Sequence, residues 1–394
     1  MYTRLSSPGD NKGTKLTAVE LDSISYSFDE SLRSPLSGLS PASASLPWFL
    51  SAVGVLSIAH SAVRSLIYEL ELDGDGSLLS WYLDNSPKVL DVCKCICSKI
   101  ERLCLRHVNR RIAMKLLRLE GNPLEDKIHR ARNVLADSEG EAEGSSGHVK
   151  SVGDIEQLIR DLAASIRKSA LRGKVSPADR VVRRAVQAVN FLTAFVAGLI
   201  SSALCSSSGA VLCLCVPKKF PWGDSVRAIE SAIIVESRRS EERDRKMRVL
   251  KTIIVKSRRS KERDRKTRVL KELGDVEARR RHVLQVIDEV VASGGSAETV
   301  GRLRDAAGGM EKATEAILKG LFCVRDGVKE LFLTVRRIRK EMVDDFTASL
   351  RKGPLPKKPL AWQERLWESV FALDHKNGIL DARDLSASKL QSEL

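Results

Sequence analysis

The chain has 394 residues, with 66 Lys and Arg against 51 Asp and Glu, a formal net charge of +15. Hydrophobic residues make up 43% and aromatics 5%, so there is enough apolar content for a core and that core must be aliphatic. The 12 prolines, 25 glycines, eight cysteines and 43% apolar content exclude a collagenous, disulfide-scaffold or wholly disordered chain, and the Ala/Leu/Val/Arg/Lys/Glu background favours helix.

Residues 1–46 are rich in Ser and contain no apolar run of signal-peptide length. Asp10, Glu20, Asp22, Asp29 and Glu30 also argue against a transit peptide, which is poor in acids. The segment reads as a disordered tail, and the eight cysteines as free thiols of an intracellular protein. A helical domain is expected over 47–352. It opens with an apolar stretch from Trp48 to Leu72, ended by Asp73-Gly-Asp-Gly76. In the next block Val89, Val92, Cys93, Ile96, Ile100, Leu103 and Cys104 share one helical face, with Pro87 at a kink or a restart.

An acidic Gly/Ser-rich linker is expected over 137–153, then a helix with Ile155, Leu158, Ile159, Leu162 and Ile166 on one stripe. Ser176, Pro177 and Asp179 form a compound helix start. From Ala185 to Pro217 no residue is charged. Val186, Phe191, Phe195, Leu199 and Leu204 lie in a stretch long enough to span a bilayer, which needs about 20 residues. Gln187, Asn190, Thr193, Ser201 and Ser202 interrupt it, so a buried bundle helix is the competing reading.

Residues 232–251 are repeated at 252–271, with 16 of 20 positions identical. A 20-residue period turns a helix by about 200°, so the two copies face nearly opposite sides and cannot share one core face. The repeat carries 16 Lys/Arg and 6 Asp/Glu, so most of the excess charge comes from it. Its mixed acids suggest a solvated helix face; a nucleic-acid-binding helix is the alternative.

Val269, Leu273, Val276, Val283, Ile287 and Val290 then follow a heptad rhythm, with Arg280 in one slot. A cleaner seam comprises Ile317, Leu321, Val324, Val328, Leu331, Val335, Ile338 and Met342. An antiparallel pairing of these two seams across a Gly294–Gly309 linker is the simplest arrangement, with Gly320 and Gly327 either weakening the helix or admitting a close neighbour. Residues 353–394 read as a C-terminal tail with one short helix near Trp362–Ala372. The expected fold is therefore all-α, an elongated helical bundle with coiled-coil-like long helices.

No catalytic motif emerges. The histidines are scattered, and neither a phosphate-cradling glycine loop nor a nucleophile elbow occurs. Cys93, Cys95 and Cys97 resemble a metal cluster, but alternate residues of a helix point about 200° apart. Core packing of these thiols is expected, with no metal, cofactor or catalytic residue.

LIYELEL (66–72) followed by SWYLDNSPKVLDVC (80–93) resembles the N-terminal signature of the plant Bypass family. RRAVQAVNFLTAFVAGLISSALC (183–205), PWGDS (221–225) and KELGDVE (271–277) continue the likeness, which covers about 48–346. The doubled basic repeat and the tail after Pro354 depart from it. The resemblance implies a non-enzymatic helical protein of root and shoot developmental signalling, associated with a membrane through the apolar segment. Protein partners would bind through coiled-coil-like helices. The expected location is intracellular and membrane-associated, single-pass or peripheral, with a cytosolic protein as the alternative.

Overall fold

The structure is a computed structural model that describes residues 16–40, 45–70, 77–118, 125–136, 152–168, 176–204, 220–235 and 270–352. Among the described residues it is all helix: α1 (Ala18–Ser37), α2 (Leu46–Leu70), α3 (Ser77–Arg118), α4 (Glu125–Ala136), α5 (Val152–Lys168), α6 (Pro177–Leu204), α7 (223–235), α8 (Lys271–Ala292) and α9 (Ala297–Lys352). At 1.5 Å per residue, the 42 residues of α3 and the 56 of α9 extend about 63 and 84 Å, which makes the bundle elongated.

Four helices form the central layer. Arg118 pairs with Glu311, the Cys97 thiol lies 3.9 Å from the Arg325 carbonyl and Arg339 reaches Ser86, so α3 and α9 run antiparallel. Leu46 lies against Gly320, and Arg64 pairs with Glu341 at 2.7 Å, so α2 and α9 run parallel. Arg183 stacks over Trp81 at 3.9 Å and Lys99 donates to Ser201 at 3.3 Å, so α3 and α6 also run parallel. The main core draws on α1, α2, α3, α5, α6, α7, the start of α8 and the later part of α9. A second apolar cluster at the other end joins Met114 and Leu117 of α3, Leu135 of α4, Val283 and Ile287 of α8, and Leu303 and Met310 of α9.

Three expectations are corrected. Residues 16–40 are not tail. Thr17 and Glu20 form a reciprocal capping box, and Leu21, Phe28, Leu32 and Leu36 bury one stripe of α1. The stripe offsets the ordering entropy that a polar composition alone could not, and Asp29 pairs with Arg184 of α6. Residues 1–15 and 41–44 of the expected tail lie outside the described residues.

The second correction is Pro87, which does not restart the helix; α3 runs through it from Ser77 to Arg118. The third is the Gly294–Gly309 linker. The turn is confined to 293–296, where Gly294 and Gly295 take φ of 63° and 79°, and α9 is helical from Ala297 through Gly301, Gly308 and Gly309. The α8–α9 hairpin forms, but Val283, Ile287 and Val290 meet Val300, Leu303, Ala307 and Met310. The seam from Ile317 to Met342 continues beyond this hairpin and packs into the main core instead.

The start signal of α6 is realised: Ser176 Oγ accepts from the Asp179 amide at 3.0 Å and donates to its carboxylate at 2.8 Å. Residues 137–151 of the acidic linker, most of the basic repeat (236–269), Cys205, Cys213, Cys215 and the tail 353–394 lie outside the described residues, while Val152 and Gly153 of that linker already belong to α5.

Candidate functional site

The apolar segment occupies the middle of the bundle. Val186, Phe191, Phe195, Leu199 and Leu204 are all buried, together with nearly every other residue of α6 from Ala185 onward. Among the described residues two helices, α2 and α6, are long and apolar enough to cross a membrane by length and composition, with mean hydropathy of 1.6 and 1.5. Protein covers 89% of the α6 window against 56% for α2. Of these two helices of similar hydropathy, α6 is the one more enclosed by its neighbours. Burial in a core and insertion in a bilayer select the same side chains, so hydropathy alone does not separate them.

Within that core is a polar relay. His60 of α2 lies with Nδ1 3.1 Å from the Tyr82 hydroxyl of α3 and Nε2 3.4 Å from Thr193 Oγ1 of α6. In either tautomer of neutral imidazole one nitrogen donates and the other accepts, so both contacts are satisfied together. Burial holds His60 in its neutral form, with its pKa pushed down to about 3, and pushes the Tyr82 phenol well above its ordinary value. Neither group exchanges a proton near neutral pH. The relay joins three helices in register.

Arg339 of α9 makes another tie to α3, close to Tyr82. Its guanidinium donates to the Leu83 carbonyl and, at 2.9 Å, to Ser86 Oγ. Arg184 ties α1 to α6 by donating to Asp29 and, at 2.9 Å, to Ser25 Oγ.

The cysteine row behaves as packing. Cys93 and Cys104 are buried and Cys97 is half-buried. Burial raises all three thiols, Cys97 to about 12 and Cys104 to about 11, so the nucleophilic and metal-binding thiolate is disfavoured. No group of three His, Cys, Asp or Glu among the described residues is placed to hold a metal ion.

All eight residues of the Ile317–Met342 seam are buried inside the chain. Val328 and Leu331 line a small apolar cavity with Val53 and Leu56 of α2, Cys93 of α3 and Val196 of α6. Gly320 and Gly327 admit α2: a Cβ at 320 would stand 2.6 Å from Leu46 Cδ1, and one at 327 would stand 2.7 Å from Leu50 Cδ1. Sequence reasoning missed the relay and the α2 contact. The first had no local motif, since His60, Tyr82 and Thr193 sit on three separate helices.

Comparison with known proteins gives three matches. The chain is 28% identical over 226 residues to UPF0496 protein 4 of Oryza sativa, in both subspecies indica and japonica, covering 55% of this chain and 48% of that protein. It is 26% identical over 218 residues to Protein BPS1, chloroplastic, of Arabidopsis thaliana, covering 53% of this chain and 60% of that one. The matched region thus spans about half to three-fifths of the length of these curated relatives. No protein-family model matches the chain. No solved structure matches it. The motifs at 66–93 and 183–205 and these relatives agree: the chain is a homologue of the Bypass-related proteins.

Proposed function

We propose that the chain is a non-enzymatic interaction protein of plant root and shoot developmental signalling, held peripherally at an intracellular membrane. The developmental role rests on the relationship to Protein BPS1 and on the Bypass resemblance of the sequence. The observation that carries the peripheral form is the enclosure of α6. A bundle that covers 89% of the apolar window of α6 would have to come apart before that helix could span a bilayer. The neutral relay and the raised thiols favour a scaffold over an enzyme. The alternative reading, a basic nucleic-acid-binding helix, draws on 232–271, most of which lies outside the described residues.

Fractionation of plant cells expressing the tagged full chain tests this. A peripheral protein enters the membrane pellet and is released by alkaline carbonate. Retention after carbonate would mean that the chain spans the bilayer. Absence from every membrane fraction would mean that it is cytosolic.

A further inference from the structure

We infer that the outer face of the C-terminal half of α3 is a docking surface for an acidic amphipathic helix of a partner protein. The inference deepens the interaction reading above and rests on it. The Ile317–Met342 seam is consumed inside the chain, so a partner needs another apolar ridge.

α3 has one. Its inner side feeds both cores, through Ile100 and Leu103 at one level and Met114 and Leu117 at the other. On the opposite side Leu105 is 62% exposed and Ile112 is 53% exposed. They stand seven residues apart, two helical turns, with half-buried Val108 and Leu116 beside them. The spacing 105, 108, 112, 116 is a continuous ridge of about 17 Å that would seat between the side chains of one facing helix.

The charge beside the ridge is mostly positive, with exposed Glu101 one turn before Leu105 as the carboxylate at its N-terminal end on α3. From Arg102 through Arg118 the sequence has six basic residues and no acid, of which Arg110 is buried and Arg118 is paired with Glu311. Arg102 and Lys115 are exposed and flank the ridge on opposite sides, and among the described residues no carboxylate pairs with either. An aliphatic centre with unpaired cations on both flanks is complementary to a helix carrying Leu on one face and Glu beside it. Nucleic acid fits the surface less well. Phosphates would meet the cations but leave Leu105 and Ile112 without apolar partners, and no aromatic lies on the ridge to stack on a base.

The test uses the full chain and a fluorescein-labelled 21-residue helical peptide with Leu at its a and d positions and Glu at the flanking ones. A companion peptide carries Lys in place of Glu. Fluorescence anisotropy should give saturable binding of the Glu peptide. Binding should weaken by about tenfold or more in Leu105→Ser/Ile112→Ser and in Arg102→Glu/Lys115→Glu, and the charge-reversed protein should gain binding to the Lys peptide. Circular dichroism melts of both variants should match wild type, and if the Ser variant is destabilised the charge-reversal arm decides alone. Failure of wild type to bind the Glu peptide, or equal binding by wild type and both variants, would overturn the inference. So would binding to phosphatidylserine vesicles, or dimerisation of the chain, that the same substitutions abolish while the peptide is ignored. Unchanged carbonate-sensitive pelleting alongside lost peptide binding removes this surface and leaves the proposed function standing.

Discussion

Arg339 of α9 donates to the carbonyl of Leu83, the acceptor to which Pro87 has no N–H to give. A proline inside a helix removes the hydrogen bond to the carbonyl four residues back. Here a side chain from the antiparallel helix fills the place, with Ser86 Oγ a second donor at 3.3 Å. The proline and the arginine form one device that lets α3 continue unbroken while fixing its register against α9.

This relationship makes a double-mutant prediction. Arg339→Met should cost about 2 kcal/mol, because Ser86 and Leu83 lose a buried charged donor. In a Pro87→Ala background the restored N–H can reach Leu83, and the cost of Arg339→Met should fall by about half. Urea unfolding of the four proteins measures the coupling. Equal cost in both backgrounds would mean that the arginine does not serve the proline.

The two close glycines should respond with opposite signs. Gly320→Ala gains about 1 kcal/mol of helix propensity but drives its Cβ to 3.2 Å from Leu46 Cβ, a buried and immovable neighbour, so overpacking of about 2 kcal/mol wins. Gly327→Ala meets the tip of Leu50, which is 37% exposed and can rotate away, and Val53 Cγ1 only at an ordinary contact distance of 3.9 Å, so that variant should be neutral or more stable by up to about 1 kcal/mol. Thermal melts of the pair give the answer, and equal destabilisation would refute the distinction.

Acid should act through His60. The unfolded chain protonates this residue below about pH 6.5, whereas the folded one stays neutral down to about 3. Between those values the unfolded state binds more protons, so stability falls as pH falls, by at most about 1.4 kcal/mol per pH unit from this group. Its contribution is complete above pH 6.5 and fades toward pH 3. His60→Gln keeps a donor and an acceptor but cannot titrate, so its stability should be less dependent on pH over that window. Chemical denaturation at a series of pH values would measure both slopes, and parallel curves would count against a buried neutral histidine.

Deletion of 232–251 should leave the fold intact and lower the net charge by three. Ile233 is buried, yet the deletion joins Ser231 to Thr252 and supplies Ile253-Ile254-Val255 in the places of Ile233-Ile234-Val235. Leu270, also buried, is untouched. The change in stability should stay below about 1 kcal/mol. A broad, non-cooperative melt would assign the first copy an essential place in the core.

Much of the fold was legible in the sequence. The Ser176–Asp179 start and the 317–342 seam needed only caps and a 3.5-residue period. Periodicity identified the buried face of α9 but not its neighbour, because α2 and α8 each offer an apolar stripe. The choice turns on Gly320 and Gly327, where α2 comes close. α1 was missed because composition masked a pattern: Thr17-x-x-Glu20 is a capping box, and Leu21, Phe28, Leu32 and Leu36 are helically spaced within a Ser-rich segment. The relay of His60, Tyr82 and Thr193 has no sequence signature, since it exists only once three helices meet.

The central claim is that α6 is an enclosed core helix of the bundle. Amide hydrogen exchange of the detergent-free full chain tests it most directly, read over Val186–Ala203. The account predicts that these amides are among the slowest in the protein, open only with global unfolding, and are unchanged when vesicles are added. Fast exchange in water that becomes protected only in detergent or vesicles would contradict it, and would make the segment a membrane span.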